Sequence, residues 1–126
     1  MSVPRTNSLF FKALFDYLDK VLTANTVADP GNAGAIAVTK SGVSNLTSGG
    51  AETRTLAVPT FLGQRLVLCM NVDGGDIVTT VASAFNQAGN TTITMNDAGD
   101  HVELVGCLIA SALRWRIVNN DGCTLG

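Results

Sequence analysis

The sequence predicts an all-β domain carrying one N-terminal amphipathic helix, and three observations predict it. First, a turn is used twice: Asp73-Gly74-Gly75-Asp76-Ile77-Val78 recurs as Asp97-Ala98-Gly99-Asp100-His101-Val102, each after a Met-Asn pair, Met70-Asn71 and Met95-Asn96. Glycine takes positive φ at low cost, and Asp and Asn side chains bond their own turn backbone, so these are tight reversals. Second, the stretches between turns are short, apolar or threonine-rich, and alternate with period two. Third, turn signals come roughly every 8 to 14 residues, the spacing of an antiparallel β-sandwich, jelly-roll or small barrel of about eight short strands. The paired turns read as corners of two related hairpins; two copies are too few for a stacked coil of repeats.

Taken in order, residues 1–7 form a polar arm, and Ser8 or Asn7 caps a helix that runs to about Leu22. Phe11, Leu14, Phe15, Leu18, Val21 and Leu22 follow its apolar stripe. Lys12, Asp16, Asp19 and Lys20 take the other side, with Asp16 and Lys20 spaced for an i,i+4 pair. Asn25 suits the left-handed position that ends such a helix. Phe10 and Tyr17 widen the apolar sector beyond what one sheet contact needs. Two readings stay open: the helix closes one side of the β domain, or it docks on symmetry mates or another surface.

Residues 1–28 are thus arm and helix, and 29–126 the β-rich domain. Asp29-Pro30-Gly31-Asn32-Ala33-Gly34 is a linker or broad turn. Strands are expected over Ala35–Thr39, Val43–Thr47 and Thr53–Val58, the last stopped by Pro59. Leu66, Leu68, Met70 and Val72 then alternate with Arg65, Val67, Cys69 and Asn71. Further strands cover Ile77–Ser83, Thr91–Met95 and His101–Ile109. In Leu113–Val118, Leu113, Trp115 and Ile117 share one face and Arg114 and Arg116 the other. Asn119-Asn120-Asp121-Gly122 turns the chain into a last strand, Cys123–Leu125.

Composition bounds the function. The chain has 126 residues, enough for one domain with a genuine core. Charged residues are only 14%, against about 25% in a typical soluble domain, which points to a surface covered by partners, the alternative being a polar but neutral surface. Net charge is −2 and the pI about 5.1, so no electrostatic footprint for nucleic acid exists. No apolar run reaches the roughly 18 residues of a membrane span, and charges at Lys12, Asp16, Asp19 and Lys20 break any secretory layout, so synthesis in a cytoplasm is expected.

The chemistry is sparse. His101 is the single histidine, it stands just after the second turn, and no G-x-S-x-G accompanies it, so it is expected to start a strand and face solvent. The glycines form no phosphate-binding loop; neither an enzyme nor a cofactor is expected. Asp73 with Asp76, and Asp97 with Asp100, offer carboxylates for Ca²⁺, but Asx-turn capping explains them without an ion. Cys69 and Cys107 lie in apolar runs as small hydrophobes, and Cys123 is the candidate for an exposed or inter-chain thiol. No metal site is expected.

One resemblance is carried by the run Gly49-Gly50-Ala51-Glu52-Thr53-Arg54-Thr55-Leu56-Ala57-Val58-Pro59, followed by Phe61-Leu62-Gly63-Gln64-Arg65-Leu66, the D-x-G-D turns, Trp115 and Asn120-Asp121-Gly122. Residues 35–126 resemble β-rich virion accessory proteins of tailed bacteriophages, the head-decoration (cement) proteins and head-fibre domains. The resemblance implies a non-enzymatic β domain, commonly a homotrimer, made in the host cytoplasm and bound to the major capsid protein on the outside of the shell, which it stabilises. The alternative is a phage fibre, tail or baseplate module that binds a host receptor or glycan. Neither nucleic acid nor membrane is an expected partner. The expected interface residues are Phe10, Phe11, Leu14, Phe15, Tyr17 and Leu18 of the helix, with Arg114 and Arg116.

Overall fold

The backbone crosses between two β-sheets at nearly every turn, and this crossing organises the molecule. A computed structural model describes residues 5–22 and 25–126. Helix α1 (Arg5–Leu22) precedes nine strands: β1 (Gly34–Ile36), β2 (Gly42–Thr47), β3 (Glu52–Leu56), β4 (Arg65–Val72), β5 (Ile77–Val81), β6 (Thr92–Met95), β7 (His101–Ile109), β8 (Ala112–Asp121) and β9 (Thr124–Leu125). One sheet has the order β1-β3-β5-β6-β9 and the other β2-β4-β7-β8. The chain is therefore mostly β, in two mixed sheets with an N-terminal helix.

The expectation of an antiparallel body needs correction. β1 pairs with β3, β3 with β5, and β2 with β4, all in parallel. The reason lies in the corners. Those after β2 and β4 pass the chain to the opposite sheet instead of folding it back beside itself, so among the first five strands β1, β3 and β5 run together in one sheet and β2 and β4 in the other. The first five strands thus wind as a coil of about 20–25 residues per circuit, a period found in stacked-repeat proteins. From β6 onward, pairings are antiparallel and finish both sheets.

Both D-x-G-D turns are such crossings, β4 to β5 and β6 to β7, and not hairpin corners. They share one end of the body with the β2–β3 and β8–β9 corners. Ser48 Oγ donates to the Gly75 carbonyl (2.5 Å) and accepts from Gly74 N (3.0 Å). Gly99 N donates to the Met70 carbonyl (2.8 Å), and Met70 N to the Asp100 carbonyl (2.9 Å). Gly122 lies with its α-carbon against the Asp100 carboxylate, at φ +91°, leaving no room for a β-carbon. Four corners are thereby stacked.

The core fills the space where inward rows of both sheets meet. Leu46, Leu56, Leu66, Leu68, Met70, Ile77, Ile93, Met95, Val102, Leu104 and Trp115 are all buried, each Leu or Ile contributing roughly 1.5–3 kcal/mol. Trp115 Nε1 donates to the Ala57 carbonyl (2.7 Å), fastening β8 to the segment after β3. Phe85 is buried from the β5–β6 loop, and its carbonyl accepts from Ile117 N (2.9 Å). Two bulges alter the expected alternation. In β4, Leu46 pairs with Met70 but Thr47 with Val72, so Asn71 is extra and Val72 turns outward. In β8, Glu103 pairs with Asn119 but Leu104 with Ile117, leaving Val118 extra and exposed. Leu113 and Ile117 are half-buried on either side of Trp115.

At the edges, the structure moves several expected bounds. The helix begins at Arg5, so Ser8 lies within it and does not cap it; first-turn N–H groups have no intrahelical partner anyway, which makes Thr6 and Asn7 tolerable there. The rest of the expected polar arm, residues 1–4, and the helix end at 23–24 lie outside the described residues. The β body starts before residue 29: Thr26 bridges Val43 in parallel and Val27 is buried.

The β7–β8 connection is a two-residue hairpin with Ala110 at φ 49° and Ser111 at φ 66°. Both central residues of this primed turn need the left-handed region, where Asn-Gly fits best. Replacing Ala110→Asn together with Ser111→Gly is expected to raise unfolding stability by about 1 kcal/mol in urea titrations. Gly122→Ala should lower it by about 2 kcal/mol or more. Gly99→Ala, at φ +96° but facing open space, should cost only about 1 kcal/mol.

Candidate functional site

Over residues 8–17, α1 presents an apolar surface that no described residue covers. Every side chain described on it, residues 8–17, is exposed, its large apolar ones from 37% at Leu14 to 68% at Leu9. Phe10 and Phe11 touch edge to face, with centroids 5.8 Å apart. Of the expected interface residues, Phe10, Phe11, Leu14, Phe15 and Tyr17 lie on this surface; the side chain of Leu18 falls outside the described residues. Along the described part of the stripe the helix therefore does not close the β body.

Arg114 and Arg116 stand apart from the helix, on the outward side of β8, the edge strand of the four-stranded sheet. Both are half-buried, and Arg114 Nη1 donates to the Leu113 carbonyl (3.1 Å). Among the described residues, no hydrogen bond or ion pair joins this pair to α1. A second apolar patch, which sequence reasoning missed, lies at the end of the body opposite the stacked corners. Phe61 and Leu62 of the β3–β4 corner and Leu108 and Ile109 at the end of β7 are exposed there. Gly63 N donates to the Gly106 carbonyl (2.8 Å), and Gly106 N to the Gln64 carbonyl (2.7 Å), which ties that corner to β7. Buried Gln64 adds bonds from Nε2 to the Val38 (2.9 Å) and Lys40 (3.2 Å) carbonyls. The available signal was the Phe-Leu pair inside a corner, where polar residues are usual.

Two of the four carboxylates of the repeated turns, Asp73 and Asp100, serve the backbone. Asp73 Oδ1 accepts from Gly75 N (3.0 Å), and buried Asp100 accepts from Asn96 N (3.0 Å) and Asp97 N (3.1 Å) through Oδ2. No group of three His, Cys, Asp or Glu that could hold a metal ion occurs among the described residues. His101 begins β7, half-exposed, with Nδ1 3.0 Å from the Gly99 carbonyl. Cys123 is buried, contrary to its expected exposure. Burial first, and then the neighbouring Asp100, Cys69 and Asp121, push its thiol up to about 12, so it holds its proton. The Asn120 side chain closes the loop around it, accepting from Cys123 N (3.1 Å) and donating to its carbonyl (3.0 Å).

The densest electrostatic cluster centres on a residue that looked ordinary in the sequence. Arg54 takes an inward position of β3 and is fully buried. Its Nε donates to Asp29 Oδ1 (2.8 Å), Nη1 pairs with Glu52 Oε1 (2.9 Å), and the Thr53 and Thr47 carbonyls accept at 2.9 and 3.1 Å. Asp29 accepts further from Thr47 N (2.9 Å) and Gly31 N (3.0 Å), and Glu52 from Gly49 N (2.7 Å). Burial alone would push the Asp29 carboxyl up; the Arg54, Thr47 and Gly31 bonds outweigh it and hold it below its ordinary value. The Gly49 amide and then Arg54 lower Glu52. The cluster is a structural clasp around the buried guanidinium, with both carboxylates partly exposed at its rim.

No protein-family model matches the chain, and no curated protein matches it.

Removing a buried partner leaves unpaired charge, so Arg54→Met is expected to cost about 3 kcal/mol in denaturant unfolding, with Arg54→Lys recovering only part because it lacks the fork. Asp29 and Glu52 titrate lower in the folded chain than in the unfolded one. Their contribution is full above the ordinary carboxylate range and is lost as pH falls through the folded values. The melting temperature should therefore drop on acidification below about pH 4, and by less in Arg54→Met.

Proposed function

We propose that the chain is a non-enzymatic virion structural protein, a decoration or cement protein that binds the outside of a bacteriophage capsid as a homo-oligomer and stabilises the shell. The observation that carries this reading is α1, whose aromatic and leucine side chains at residues 9–17 face solvent in the single chain. Large contiguous apolar surface on a small domain marks an interaction site. The low charge content points the same way, since such a surface gains from being covered. The resemblance of residues 35–126 to head-decoration and head-fibre domains supplies the partner, the major capsid protein, and the trimer as the expected assembly. The two sheets fit a face-to-face sandwich, a compact platform able to carry interface residues at both ends.

The function needs no chemistry, only binding energy. A standard interface of roughly 800 Å² on each partner, repeated over a shell, gains avidity that a single contact lacks. The protein is then made in the host cytoplasm and resides on the capsid surface. Purified virions should contain it at a fixed ratio to the major capsid protein, and particles lacking it should lose their genome at lower temperature. Its absence from purified virions would overturn the reading. Binding of the soluble protein to host cells or glycans would favour a fibre or tail module instead.

A further inference from the structure

We propose that α1 is a self-assembly helix: copies of this chain join through it in a bundle of three or more helices. This deepens the self-association part of the decoration reading by naming the segment and its partner, a second copy. It is tested without capsids, so either reading can fail alone.

The spacing of the apolar residues is the first argument. Phe11, Leu14, Leu18 and Val21 are separated by three, four and three residues, the a and d positions of a heptad seam. The width of the face is the second argument. Phe10 and Tyr17 fall at g and Phe15 at e, where two-stranded coils carry charge; apolar residues there give each helix two neighbours, which requires at least three helices.

Charge is compatible with a copy of the same chain as the occupant. Arg5, Lys12, Asp16, Asp19 and Lys20 all fall at b, c or f, outside the apolar face, with a net charge of +1 per helix, so identical helices meet without burying a charge. The exposed area approaches what is needed. Phe10, Phe11, Phe15 and Tyr17 are 49–65% exposed, so of the about 150–250 Å² each can bury about 300–650 Å² in all is open, and Leu14 adds to it toward the roughly 800 Å² per partner of a stable interface. A solitary helix of this length is marginal in water, and the β body lends residues 8–17 no cover, so assembly would also stabilise the helix itself.

The decisive measurement is the mass of the full chain in solution, by sedimentation at tens of micromolar. The expected result is three or more times 13.1 kDa. The double variant Phe11→Asp with Leu14→Asp should sediment as a monomer while retaining the β melting transition of the parent. Asp16→Ala, at an f position, should leave the mass unchanged. A monomeric parent chain overturns the proposal, and so does an oligomer that survives the double substitution, since assembly would then reside in the β body. If the double variant loses the β transition, deleting residues 1–22 provides the same comparison: a folded monomer supports the proposal and a folded oligomer overturns it.

Discussion

A buried guanidinium sets the terms on which the first circuit of this fold can close. Arg54 points between the sheets from β3, where an unpaired charge would cost several kcal/mol. Its fork is satisfied by groups far apart in sequence: the Asp29 carboxylate, the Thr47 carbonyl at the end of β2, and Glu52 at the start of its own strand. Meeting all of them fixes the segment before β1 against the β2–β3 corner. Asp29 then also holds Thr47 N, so one carboxylate bonds both the cation and the corner beside it. With that first circuit in place, β1 lies beside β3, β2 receives β4, and β3 receives β5.

The stack of corners extends the same logic without charge. Ser48 bonds the first D-x-G-D crossing, the second crossing bonds β4 through Gly99 and Asp100, and Gly122 presses on Asp100. Each crossing is thereby positioned by the one before it. The repeated motif matters because Asp and Gly let the backbone change sheets in few residues while satisfying its own N–H groups. The opposite end uses different devices, a buried Gln64 and a two-residue hairpin, and it is there that Phe61, Leu62, Leu108 and Ile109 remain uncovered.

Much of this was legible along the chain and little of it across the chain. The inward row Leu66, Leu68, Met70 and the placement of Ile93 between outward-tending threonines follow from period-two alternation, as does Trp115 opposite Arg114 and Arg116. Alternation reports which face is buried but not which strand is the neighbour, so turns that cross between sheets looked like hairpins and parallel pairing was missed. Bulges at Asn71 and Val118 shift the pattern without any local signature. Arg54 was invisible for a related reason: an arginine among threonines reads as solvent-facing until Asp29, 25 residues away, is brought against it. The Ala110-Ser111 turn carries none of the residues that announce a primed hairpin. The aromatic stripe of the helix was legible from the start, as were the paired arginines of β8, and the described side chains of residues 8–17 are exposed in the folded chain.

The coil of the first five strands has a temporal consequence. Parallel strands that return to the same sheet only after a full circuit cannot pair until the intervening strand has been laid down, and Trp115 reaches back 58 residues to Ala57. Such non-local contacts place folding in the slow range, milliseconds to seconds, whereas an isolated helix equilibrates within about a microsecond. The five-stranded sheet completes only when β9 and Gly126 bond β6. During that interval the apolar inner faces of β4 and β7 await their covering layer, so yield at high expression should depend on temperature and chain concentration more than on the final stability of the native state.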